Sequence, residues 1–228
     1  MITPRILNFI GYRCIELAEQ IDNVSTYPKD AARKYAADDP FEMKVVTFPL
    51  NPESQVVDVG GYTGDWAQRI YGRYGCFIDI YEPHPVLADA AQKNFAPNAK
   101  VVVFPIGLGN KGGTMTLYGD NVHASVFKNN LRGSHPVVIN KASEVFRTRY
   151  RKRRIHLMKI NVEGAEYDIL GDLTANFDMT QIDDMVIQFH RNVPDYDIKR
   201  NLVRDALART HAMKWSYDYI FEHWTLRR

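Results

Sequence analysis

A chain of 228 residues, 45% apolar and 25% charged, is long enough to bury a sizeable core in one domain, or in one domain with an added segment. A formal charge of +2 excludes a bulk electrostatic pull toward nucleic acid, and two cysteines, Cys14 and Cys76, exclude a disulfide framework and fit a reducing, cytoplasmic setting. No run reaches the roughly 18 consecutive apolar residues of a membrane span, and the N-terminus lacks a cationic head before an apolar stretch, so neither a membrane-spanning helix nor a signal peptide is expected.

In chain order, residues 4–22 read as an amphipathic helix, with Ile6, Phe9, Ile10, Leu17 and Ile21 on one face and Arg13 interrupting it. Lys29 to Ala37 is a second, weaker helical stretch, closed by Asp38, Asp39 and Pro40. Residues 1–52 are expected to form an N-terminal helical cap on a main domain of residues 53–228, either covering a sheet edge or acting as a lid over substrate.

Gln55 to Val59 is short, apolar and β-branched, as a buried parallel strand should be. Gly60, Gly61 and Gly64 then make a tight turn before a helix over 64–74, aiming backbone N–H groups and a helix dipole at whatever lies above the strand. The spacing is D-x-G-x-x-x-G. It fails the dinucleotide fingerprint, because Tyr62 and Asp65 stand where glycines are needed, and no Lys-Ser or Lys-Thr follows to make a P-loop. A tight strand-to-helix turn with no ligand is the competing reading.

Cys76 to Tyr81 reads as a strand, Pro85 to Phe95 as a helix and Lys100 to Phe104 as a third strand, an alternation that means a parallel sheet with right-handed crossovers. Residues 106–140 break it with turn glycines and short strands at Thr114–Tyr118 and Val137–Ile139, a small β insertion, followed by a helix over 142–149. Ile155–Val162 resumes the sheet, and Glu166–Gly171 reads as a short helix. Ile182–His190 is the next strand, Asp197–Thr210 a helix, and Lys214–Ile220 with Glu222–Leu226 a closing antiparallel pair. The expected fold is α/β: a Rossmann-like, seven-stranded, mostly parallel sheet with helices on both faces.

Glu82 ends the second strand 24 residues after Asp58, where an acid is placed to accept hydrogen bonds from ribose hydroxyls. The competing reading is an acid in a loop before Pro83. Asp58 sits under the turn and either holds the backbone or meets a cofactor ammonium. Ile106 and Gly107 follow the third strand, where an apolar side chain can cover an adenine face. The basic run from Arg147 to Arg154 reads as a solvated helix end, or else as a contact for an anionic substrate.

The stretch Lys159-Ile160-Asn161-Val162-Glu163-Gly164-Ala165-Glu166 puts polar groups at the carboxyl end of a strand, where α/β sites are built. Together with the D-V-G-x-x-x-G turn and Gln188-Phe189-His190, it resembles the FkbM family of S-adenosylmethionine (SAM) methyltransferases, whose K-I-D-V-E-G-A-E pattern it matches at seven of eight positions. The resemblance covers about residues 55–190. It implies the class I methyltransferase fold, SAM as cofactor, and methyl transfer to a hydroxyl oxygen of a small molecule or glycan. Asp58, Gly60, Gly61, Tyr62, Gly64, Trp66, Glu82, Pro83, Ile106, Gly107 and Asn161 are the expected cofactor positions.

Asn161 stands where the family has aspartate; an amide can hydrogen-bond an amine but cannot take a proton. His190 is therefore the expected base, neutral near pH 7, with Glu163 and Glu166 as alternatives and a core-edge histidine as the competing reading. Catalytic candidates are His190, Glu163 and Asn161; no metal site is expected. The [DNS]-P-P-[YF] pattern of base-amino methylation is absent, so nucleic acid is disfavoured as acceptor. A homodimer stays open. So do a non-catalytic SAM-binding module and, behind it, a nucleotide-dependent oxidoreductase.

Overall fold

The structure is a computed structural model and describes residues 28–118 and 133–228. The helix expected over residues 4–22 lies outside them. Chain order gives α1 (Lys29–Asp38), β1 (Gln55–Val59), α2 (Asp65–Tyr74), β2 (Phe77–Tyr81), α3 (Pro85–Phe95), β3 (Val101–Phe104), β4 (Gly107–Gly109), β5 (Gly113–Tyr118) and β6 (Ser134–Lys141). It continues with α4 (Ala142–Arg149), β7 (Ile155–Ile160), α5 (Glu166–Asn176), β8 (Ile182–Ile187), α6 (Tyr196–Leu207), β9 (His211–Tyr217) and β10 (Phe221–Leu226).

Seven strands form one sheet in the order β3-β2-β1-β7-β8-β10-β9, and only β10 runs against the rest. This is the class I methyltransferase arrangement. Strand order reverses between β1 and β7, and the crevice above that reversal is where α/β sheets bind ligands.

Alternation along β1 sends Val57 and Val59 to one face and Val56 to the other. The first face is covered by Phe146 of α4 and Tyr150 just past its end, Leu170 and Leu173 of α5, and Leu207 of α6. The second is covered by Trp66 and Ile70 of α2, Phe95 of α3, and Val45, Val46 and Phe48 from the segment before β1. Cys76 is fully buried on this second face.

Helix α1 packs on the hairpin at the sheet edge: Tyr35 stacks edge-on against Tyr217, whose hydroxyl donates to Asp38 at 2.9 Å. Strands β4, β6 and β5 make a separate three-stranded sheet, with β4 parallel to β6. Among the described residues no helix is long and apolar enough to cross a membrane.

Several boundaries differ from the sequence reading. Helix α5 runs through Gly171 to Asn176, because Leu170 and Leu173 both bury against the sheet. Strands β7 and β8 end at Ile160 and Ile187, so the polar residues beyond them lie in loops at the rim of the sheet. The basic run lies at the opposite end of β7 from that rim. Arg149 there forms a two-pronged pair with Asp79, at 2.5 and 2.6 Å, and Arg154 pairs with Asp183, so these two cations are held by acids of the sheet.

Candidate active site

The turn after β1 is built by close approach. Gly60 (φ 81°) lies against the end of β7 so tightly that a Cβ would overlap the Asn161 carbonyl oxygen, while the Asn161 N–H donates to Val59 O at 3.0 Å. Gly61 lies against Ile80, and Gly64 (φ 87°) opens α2 with its face toward the Phe95 ring. The Gly60 and Gly61 N–H groups both donate to Tyr81 O. Residues of β1, β2 and β7 thus meet at the crevice.

Glu82 closes this corner. Its two carboxylate oxygens accept from Tyr62 N at 2.8 Å and His84 N at 2.9 Å, and Tyr62 takes a left-handed φ of 52° to make the contact. Burial pushes the carboxyl up to about 7 against the pull of those two N–H donors. Each oxygen keeps a lone pair for a further donor. Pro83 and Gly107 come together, with a Cβ on Gly107 falling 3.3 Å from Pro83 Cβ, and Ile106 packs against the main core beside them.

Asp58 is fully buried beneath the turn. Its Oδ1 accepts from Lys159 Nζ at 2.9 Å, and its Oδ2 has no hydrogen-bond partner among the described residues. Burial raises its carboxyl and the Lys159 charge opposes that rise. Lys159 went without a role in the sequence reading. Its signal was a lone cation inside the apolar strand Ile155–Ile160, in register with Asp58 on β1. The Trp66 indole N–H donates to Val45 O at 2.8 Å, so the ring fastens the segment before β1 to α2 and packs in the core.

On the other side of the crevice, Glu166 and His190 lock two loops together. Glu166 is fully buried; Oε2 accepts from Gly164 N at 2.9 Å, and Oε1 accepts from His190 N at 2.6 Å and lies 3.0 Å from His190 Nδ1. The Tyr167 hydroxyl donates to His190 O at 2.6 Å. The other ring nitrogen, Nε2, lies 3.4 Å from Glu163 Oε1. Glu163 is itself held by a left-handed φ of 53° and by Asn192, whose amide donates to its carbonyl at 2.8 Å.

This corrects the expectation of an open, neutral imidazole. His190 is fully buried with a carboxylate on each ring nitrogen. Burial lowers its basicity, but the charge of Glu166 and the hydrogen bonds its ring donates to Glu163 and Glu166 outweigh that and carry it up to about 10. A carboxylate at each ring nitrogen favours the imidazolium form, which donates from both. The member of the trio reaching toward solvent is Glu163, with 18% of its side chain exposed.

Residues 58–210 match the Methyltransferase FkbM domain. No curated protein matches the chain significantly. Among solved structures, a candidate rRNA-methylase from Clostridium thermocellum superposes with a TM-score of 0.51 at 7% identity, covering 90% of this chain and 99% of that one. At that identity it speaks for the fold alone. Methanococcus jannaschii fibrillarin, a pre-rRNA processing protein, gives 0.49 at 8% identity over 79% and 69% of the two chains. Magnesium protoporphyrin IX methyltransferase from Synechocystis PCC 6803, solved with bound SAM, gives 0.46 at 9% identity over 98% and 94%.

The family's cofactor is SAM, and the residues present fit it. The glycine turn leaves backbone where side chains would intrude, Glu82 has acceptor capacity left for ribose hydroxyls, and Asp58 keeps one buried oxygen with no donor among the described residues.

Proposed function

Because the chain belongs to the FkbM family of SAM-dependent methyltransferases, we propose that it methylates a hydroxyl oxygen of a small molecule or glycan. The observation that supports this acceptor is the Glu166–His190–Glu163 chain at the rim of β7 and β8, which ends in a partly exposed carboxylate. Bound SAM supplies a methyl group on a sulfonium. A weakly nucleophilic hydroxyl needs its proton removed as it attacks, and a carboxylate held at the rim suits that task.

On this reading SAM would supply the methyl group to the acceptor oxygen, and Glu163 takes the hydroxyl proton. His190, cationic and anchored by Glu166, fixes the Glu163 carboxylate and acts as a positioning residue. Asn161 keeps the crevice wall in register through its backbone and offers an amide to donors. Placement of the acceptor in line with the methyl supplies the largest share of the rate. Of the expected cap, the described part places α1 against the β9–β10 hairpin and Val45, Val46 and Phe48 on the second sheet face. The chain works in a reducing cytoplasm, where Cys76 is kept inert by burial that pushes its thiol up to about 11.

The test is transfer of labelled methyl from SAM to a panel of hydroxylated sugars, glycolipids and polyketides, with the product linkage read by NMR. An O–CH3 linkage, with Glu163→Gln lowering kcat by about 10²–10⁴-fold while leaving SAM affinity unchanged, is expected. A methyl group on nitrogen, or full turnover in Glu163→Gln, overturns the proposal.

A further inference from the structure

Lys159 is a buried cation whose hydrogen-bonding capacity is not filled. An ammonium group has three donors. Two are accounted for: Asp58 Oδ1 at 2.9 Å, and Gly60 O at 3.2 Å. The third has no oxygen or nitrogen acceptor among the described residues, only the face of the Trp66 ring 5.5 Å away, and a ring face is a weak substitute for an acceptor when an ammonium is desolvated.

The place of that third donor is defined by its neighbours. Gly60 O belongs to the glycine turn, so Nζ has climbed from the middle of the sheet to the floor of the crevice. Nζ also lies 5.5 Å from the Trp66 ring, in the first turn of α2. In that first turn Gly64 N is spent on Gly61 O and the first helical bond runs from Gln68 N to Gly64 O, which leaves the N–H groups between them facing outward. The side chain of Lys159 is 9% exposed, a narrow opening in an otherwise sealed pair. Lys159 and Asp58 both lie close enough to Glu82 for their charges to act on its carboxyl, so the pair adjoins the ribose corner.

We propose that Lys159 binds the α-carboxylate of the cofactor's methionine tail, with Asp58 as its fixed counter-ion. An α-amino acid end carries a carboxylate and an ammonium on one carbon. The Asp58–Lys159 pair presents the opposite charges side by side, and the helix N-terminus adds partial positive charge on the carboxylate side. A compact ammonium under a glycine turn suits a single carboxylate oxygen better than a planar guanidinium, which needs room for two. Lys159 in this role discriminates cofactors by their tail, independently of which acceptor is methylated.

Calorimetric titration of the full chain with SAM and with decarboxylated SAM, which differs only in lacking the carboxylate, tests this without any acceptor. The parent should bind SAM about 10- to 100-fold more tightly, the range expected for one charge-assisted hydrogen bond. Lys159→Met should bind the two compounds with equal affinity. Because that variant leaves Asp58 buried without its partner, Asp58→Asn with Lys159→Met is measured alongside; it removes both charges and should show the same loss of discrimination. A parent that binds both compounds equally, or a folded variant that still prefers the carboxylate, overturns the proposal. A uniform loss of affinity for both compounds, with the preference intact, would reduce Lys159 to the counter-ion of Asp58.

Discussion

The charge on His190 is held by its surroundings, and that gives the residue a measurable signature. Its pKa in the folded chain, about 10, lies above the ordinary 6.5 of an unfolded imidazole. The imidazolium therefore contributes stability in full below about pH 6.5, and that contribution is lost as pH rises through 10. Denaturant unfolding at pH 6 and at pH 10 should show the parent losing more stability across this window than His190→Gln. Equal losses would show that the trio does not hold the charge. Glu82 gives a second signature. With its carboxyl at about 7, it is a full acceptor only above that value, so SAM affinity should rise as pH passes through 7. Glu82→Gln keeps an acceptor for the Tyr62 N–H but loses the charge. It should bind SAM about 10-fold or more weakly, without the pH dependence.

The elements were legible in the sequence wherever a local pattern decides them. The β-branched run before Gly60 marked β1, and Pro85 at the head of an apolar repeat marked α3 with both ends right. The sequence pattern was weaker where the outcome depends on partners. Gly171 read as a stop, yet α5 passes through it because the sheet beneath rewards burial of Leu173. Gly107–Gly109 read as turn and pairs with β6 as a strand. The Lys159–Asp58 pair and the Glu166–His190 clamp depend on cross-strand register and loop closure, which no window of sequence contains. The glycines separate by the same logic. A methyl group on Gly171 would meet nothing within 4 Å, and the residue sits in a helix, so Gly171→Ala should stabilise by about 0.5–1 kcal/mol. Gly60→Ala meets both a left-handed φ of 81° and the Asn161 carbonyl, so it should destabilise by more than about 2 kcal/mol. Thermal melts of the two variants should move in opposite directions.

For the whole molecule, cofactor binding and folding draw on the same contacts. The crevice is assembled from β1, β2 and β7, and the segment before β1 is tied to it through Trp66 and Val45. SAM at 100 times its Kd should stabilise the fold by about 2.7 kcal/mol, a rise in melting temperature of about 5–10 °C for a chain of this size. NAD should give none, since the turn lacks the dinucleotide glycines. The contact between Gly60 and Asn161 bears on how related chains are read. A glycine at that position is required by the neighbouring strand before any cofactor arrives. A descendant that had lost its cofactor and its chemistry would still need it to close the sheet, so selection on folding alone would preserve the D-V-G signature. Among relatives of this chain, the D-V-G signature by itself therefore does not tell active enzymes from silent ones.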